Sequence, residues 1–179
     1  MDDSIPTSLA TDRLNLTQAS LFDAEEVFAS YASSPEVTRY LTWSPHRDVV
    51  DTVAYLERVN AWWREGSQYN WMIRTQAEQR IVGSIGVRNQ GTTHQVGYVL
   101  AQDAWGQGFM TEALRAVMAL SLSMPAVYRF EGLCYVGNEA SARVMTKAGM
   151  HYEGTLRRYI DLPNLGSEPA DAKCFAVVR

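Results

Sequence analysis

Residues 103–113, DAWGQGFMTEA, place two glycines one position apart immediately before a segment with helical spacing. A helix N-terminus exposes unpaired N–H groups and carries about half a positive charge, so glycines there let an anion approach the backbone closely. The same pair also suits a tight turn that packs a helix against a sheet, and the spacing alone leaves both readings open. Two rivals are excluded. The stretch contains no GxxxxGK[ST], and Thr111 stands where a dinucleotide fingerprint needs its third glycine, three residues after Gly108.

Working outward, the period of the apolar residues changes on either side of this junction. Upstream, YNWMIRT, RIVGSIGV and THQVGYVL are three alternating runs joined by short polar turns, which predicts an antiparallel meander. Earlier still, RLNLT alternates as a strand, a helix is expected over about residues 19–32, and a second over about residues 48–64, closed by Gly66. Downstream, apolar Met110, Leu114, Val117 and Met118 share one helical face until Pro125. A strand from Val127, a helix over NEASARVMTKA with Asn138 as N-cap and Gly149 as its stop, and strands near residues 151–161 and 173–178 complete the chain. The expected architecture is α/β: a mixed, mostly antiparallel sheet of about seven strands with helices on both faces, in one domain spanning residues 1–179.

Composition narrows the function classes. Of 179 residues, 46% are hydrophobic and 20% charged, which is ordinary for a folded domain. The formal charge of −4 comes without a basic run, so nucleic acid is not an expected partner. MDDSIPTSLATDR has no apolar core of signal-peptide length and no stretch reaches membrane-span length, which predicts a cytoplasmic protein without membrane attachment. Cys134 and Cys174 lack metal-ligand spacing and read as small buried thiols; no metal is expected.

VGYVLAQDAWGQGFMTEALRAVM followed by NEASARVMTKAGMHYEGTLR resembles the GNAT N-acetyltransferases, in particular the branch that includes the ribosomal-protein (Rim-type) N-terminal acetyltransferases, and LATDRLNLT resembles that branch's first strand. The resemblance implies acetyl-CoA as cosubstrate. It makes the glycine stretch a pyrophosphate loop, with the backbone N–H groups of Gly106, Gln107, Gly108, Phe109, Met110 and Thr111 holding the phosphates and Trp105 in the position where the family usually has arginine or lysine. Val99 and Leu100 would pair with the pantetheine amides on a strand that carries a bulge and splays from the next one near Leu133, so that the fourth and fifth strands part. Asn138 and Ser141 would line the cofactor side of the later helix, although Asn138 equally suits a simple cap.

The implied chemistry is direct attack of a primary amine on the thioester, which needs a donor for the oxyanion, a neutral amine and a proton for the leaving thiolate. The donor implied is the N–H of Val99 or Leu100. Many relatives place a tyrosine seven residues after the asparagine as thiolate acid, but that position is Met145, which leaves Ser141 as the polar candidate. The meander offers His94 and Gln95 where many relatives have a glutamate, so Glu153 is the carboxylate proposed as base. An α-amine of pKa ~7.8 is roughly 15% neutral at pH 7 and a lysine of pKa ~10.4 only about 0.04%, which favours a protein N-terminus or a small-molecule amine. YLTWSPHRD, with Arg39, His46 and Arg47 in or beside it, is expected to wall the acceptor side, while Trp62 and Trp71 are expected in the core. A sensor domain that binds acyl-CoA without efficient turnover, and a nucleotide- or phosphate-binding module, are the alternatives. A monomer and a homodimer both fit.

Overall fold

The computed structural model describes residues 5–179. The chain opens with a hairpin of β1 (Ser8–Ala10) and β2 (Leu14–Gln18), paired Leu9 to Leu16. A single 3-10 turn, Leu21–Asp23, is boxed by the reciprocal bonds of Ser20 and Asp23. It leads into α1 (Ala24–Val27), a π turn over Phe28–Ala32, and α2 (Pro35–Thr38), which Ser34 caps. The helix expected over residues 19–32 is thus three short turns of different pitch.

Next comes α3 (Val49–Glu65), started by the Asp48 carboxylate on the N–H groups of Val50 and Asp51 and stopped by Gly66 at φ 70°. The meander follows as β3 (Gln68–Thr75), β4 (Ile81–Asn89) and β5 (Thr93–Leu100), antiparallel throughout. After it come α4 (Phe109–Ser123), β6 (Arg129–Tyr135), α5 (Glu139–Ala148), β7 (His151–Ile160) and β8 (Ala170–Val178).

Among the described residues all strands join one sheet in the order β1-β2-β3-β4-β5-β6-β8-β7, eight rather than about seven. The extra strand is β1, whose three residues are too few to display a period. Helices cover both faces. Leu114 and Val117 of α4 and Met145 of α5 bury one face with Trp71, Ile85 and Phe130. Val27 of α1 and Leu56 and Val59 of α3 bury the other with Met72, Ile81 and Val99.

The feature that positions the site is the parting of β5 and β6. Their parallel pairing runs from Thr93 with Arg129 to Val96 with Gly132 and stops there. Beyond it β5 stays on β4 as far as Leu100 with Gly83, while β6 stays on β8 as far as Tyr135 with Ala172. Each strand follows its outer neighbour, and a slot opens between them. The bulge expected in β5 is absent: its register with β4 is unbroken, and the irregularities lie at Ile73/Arg74 and between β7 and β8. Divergent outer pairing does the opening that a bulge was expected to do.

Candidate functional site

The slot widens into a cleft of about 2010 Å³ that runs from the glycine loop to the segment before α3. At one end, Gly106 and Gly108 have φ of 77° and 80°, a left-handed backbone that only glycine adopts without strain. Gly108 is the N-cap of α4 and supplies no side-chain cap. Among the described residues no acceptor engages the N–H groups of Gly106, Gln107, Gly108, Phe109, Met110 or Thr111, so the loop and first turn present a row of free donors.

The loop is clamped from β2's approach, which sequence reasoning missed. Arg13 donates from Nη1 to the Gln107 carbonyl (2.9 Å), grips Glu112 through Nε and Nη2 (2.7 Å each), and stands over the Phe109 ring. Thr11 adds a bond to Glu112 at 2.6 Å. Burial alone would raise the Glu112 carboxyl, but the bonds from Thr11 and Arg13 outweigh it and hold the group below the usual carboxylate range. Farther along the cleft wall lie Arg115, Arg143 and Lys147, and Arg115 bonds the Lys147 carbonyl.

Along the slot, hydrogen-bond alternation decides which backbone groups are free. The Ala101 N–H donates to the Val82 carbonyl at 2.8 Å, so the Val99 amide also turns to β4, and those of Tyr98 and Leu100 face the slot. Leu100 therefore keeps a free donor and Val99 does not. The Leu100 carbonyl is already taken by the indole N–H of Trp105 at 2.8 Å.

Across the slot, Asn138 caps α5 by accepting from the Ser141 N–H at 3.1 Å, while its side chain also lines the cleft. The Ser141 hydroxyl lies 2.8 Å from the Tyr98 hydroxyl. Burial raises the Tyr98 phenol far above its ordinary value, so it keeps its proton. Tyr98 was not singled out from sequence, where it reads as one alternating residue of a strand. Met145 is buried against Gly132, where an added Cβ would come within 2.8 Å of its sulfur. The position that carries tyrosine in many GNAT enzymes is therefore core here, and a phenol reaches the slot from β5 instead.

Glu153 is not brought to the cleft. It sits exposed on β7, where Arg129 Nη2 bonds it at 2.5 Å and keeps its carboxyl below the usual range. His94 is buried in β5 with neither ring nitrogen partnered, and Gln95 is tied to Glu131. Of the three histidines, His46 alone lines the cleft. Its Nδ1 is 2.8 Å from the Thr52 hydroxyl, its ring packs against Trp43 and Tyr55, which also stack on each other, and burial lowers its pKa, which favours the neutral ring.

The segment YLTWSPHRD lines the cleft through Tyr40, Trp43 and His46, and Arg39 lines it while Arg47 does not. Asn164 fixes this wall by donating to the carbonyls of Thr38 and Trp43 at 2.8 Å each. Trp71 is fully buried, but Trp62 reaches the cleft from α3. Both cysteines are free and buried, and burial pushes the Cys134 thiol up to about 11, away from redox reactivity. Among the described residues, no group of histidines, cysteines and carboxylates is placed to hold a metal, and no helix is long and apolar enough to cross a membrane.

Residues 13–151 match the family model described as the acetyltransferase (GNAT) domain. The N-acetyltransferase YoaA of Bacillus subtilis, itself described as uncharacterized, is 29% identical over 174 residues, 96% of each chain. The [ribosomal protein uS5]-alanine N-acetyltransferase of Escherichia coli is 26% identical over 161 residues, 85% of this chain and 82% of its own. Among solved structures, the microcin C7 self-immunity acetyltransferase MccE, in complex with acetyl-CoA and AMP, superposes with a TM-score of 0.87 over 99% of both chains at 20% identity.

Proposed function

The chain belongs to the GNAT acetyltransferase family, whose members take an acetyl group from acetyl-CoA, and from that premise we propose that its cleft passes the group to a primary α-amine. The observation that carries this is the row of unpaired N–H groups from Gly106 to Thr111, built on two left-handed glycines and opening onto the β5/β6 slot. Such a row fits a diphosphate, and a slot edged by free backbone amides fits an arm that itself contains amides. Arg115, Arg143 and Lys147 give the same wall the positive charge that further phosphate requires.

Each step then has a residue. The Leu100 N–H, free and aimed into the slot, is the donor for the developing oxyanion. The Ser141–Tyr98 hydroxyl pair, in which the phenol stays protonated, donates a hydrogen bond to the departing thiolate, which takes its proton from water in the slot. His46 is the neutral imidazole lining the acceptor side and takes the amine's proton through water, replacing Glu153 in that role. An α-amine asks little of it, being roughly 15% neutral at pH 7.

Thiol release from acetyl-CoA, screened over α-amino peptides, free amino acids, polyamines and aminoglycosides, tests the reading. Turnover with α-amines and little with matched lysine side chains is expected; a clear lysine preference refutes the acceptor class. Tight acetyl-CoA binding with no thiol release from any amine would replace the enzyme by an acyl-CoA sensor.

A further inference from the structure

The acceptor half of the cleft has a floor rich in donors. On β3 and β4 the register sets Gln68 beside Arg88 and Asn70 beside Gly86, so these four share the sheet face under α3. Asn70 is only 7% exposed, and its amide lies across Gly86: a Cβ there would come within 2.4 Å of Nδ2. Glycine at this position is what lets the amide lie down. Its Oδ1 accepts from Gln68 Nε2 at 2.7 Å, which leaves the Nδ2 hydrogens as donors with no acceptor among the described residues.

Two guanidinium groups join it. Arg88 lines the cleft on the same face, and Arg58 lines it from α3, one turn from both Tyr55 and Trp62. Arg58 and Arg88 have no carboxylate within 4.0 Å among the described residues, which is equally true of Arg39, Arg115 and Arg143 along the cleft. What sets Arg88 apart is that it shares the sheet face of Asn70, and Arg58 that it lies on the helix over that face. An almost buried amide donor and two uncompensated cations on one wall favour an acceptor-only, negatively charged partner, and a planar carboxylate matches the guanidinium fork.

We infer that Asn70, Arg58 and Arg88 form a carboxylate-recognising subsite, so that the amine acceptor carries a carboxylate as well as its α-amine. The inference rests on the acetyltransferase reading above. Polycationic acceptors are disfavoured by the same wall, since they would bring like charges together.

The test measures thiol release with C-terminally amidated peptides Ala-Asp-Ala-Ala, Ala-Asn-Ala-Ala and Ala-Lys-Ala-Ala, and with free alanine against alaninamide. The peptide set reads a side-chain carboxylate and the second pair reads an α-carboxylate. Expected is a kcat/KM at least about ten-fold higher for the carboxylate member of one set. Arg58→Gln and Arg88→Gln, both at exposed positions, should erase that preference by raising KM for the anionic acceptor. Rates with the neutral acceptor should stay at wild-type values in Arg88→Gln, which is the clean control because Arg58 also acts on His46, and KM for acetyl-CoA should stay at wild-type values in both. Equal rates across both sets, faster acetylation of the lysine peptide, or a preference that survives both substitutions overturns the subsite while leaving the acetyltransferase reading intact. Silence with every amine removes that reading, and the subsite with it.

Discussion

Replacing Gly108 by valine separates the backbone account of the loop from any account based on side chains. Gly108 has φ 80°, and a side chain there forces either a left-handed β-branched residue or a shifted loop. The left-handed strain is about 1–2 kcal/mol, which for a domain of this size lowers Tm by roughly 2–8 °C. There is room for the first carbon, since an added Cβ meets only Arg13 Nη2, at 3.5 Å. The fold should therefore survive. Cofactor binding should not, because relief of the strain moves the amides on either side of position 108. A hydrogen bond from an amide to a charged acceptor contributes about 1.5–3 kcal/mol, so misaligning two weakens binding by roughly 3–6 kcal/mol, or about 10²–10⁴-fold. Isothermal titration with CoA, beside a thermal melt, reads both quantities. A folded Gly108→Val variant with wild-type CoA affinity would refute the loop's role, and one that fails to fold is replaced by Gly108→Ala, for which the same strain and a smaller affinity loss are expected.

Tyr98→Phe keeps the ring and removes the hydroxyl bonded to Ser141, so kcat should fall about ten- to a hundred-fold with little change in KM for acetyl-CoA; steady-state rates within two-fold of wild type would take Tyr98 out of the chemistry. Glu153→Gln breaks an exposed pair with Arg129 away from the cleft, and kcat should not change; a ten-fold loss would restore Glu153 as base. The Glu112 clamp has a defined pH sense. Its folded pKa lies below the unfolded value, so its contribution to stability is complete above the ordinary carboxylate range and fades as pH falls through the lowered folded value. Melts of wild type and Glu112→Gln should therefore differ at pH 6 and converge as pH drops below about 4; a constant difference across that range would show that the clamp is not electrostatic.

Much of the fold was legible because its signals are local. Asp48, Gly66, Asn138 and Gly149 mark helix ends through one side chain or one left-handed residue, and the structure puts those ends within a residue of the expected places. The meander was legible from its alternation. The three-residue β1 carries no period, and the uneven turns over residues 21–32 share the composition of one helix. The loop of the candidate site was legible for the same local reason, as glycines at a strand-to-helix junction.

The sequence by itself determined the family, the sheet-and-helix alternation and the glycine loop, since each is written in neighbouring residues. The tertiary structure alone decided which distant residues meet. Arg13 reaches the loop across 94 positions to Gln107, Tyr98 meets Ser141 across 43, and Glu153 is drawn by Arg129 away from the cleft. Sheet order made those choices. β8 enters between β6 and β7 and holds β6 away from β5, opening the slot, while strand alternation selects the Leu100 amide over that of Val99. Pairing across a sheet depends on registers closed through long loops, which no short window of sequence encodes.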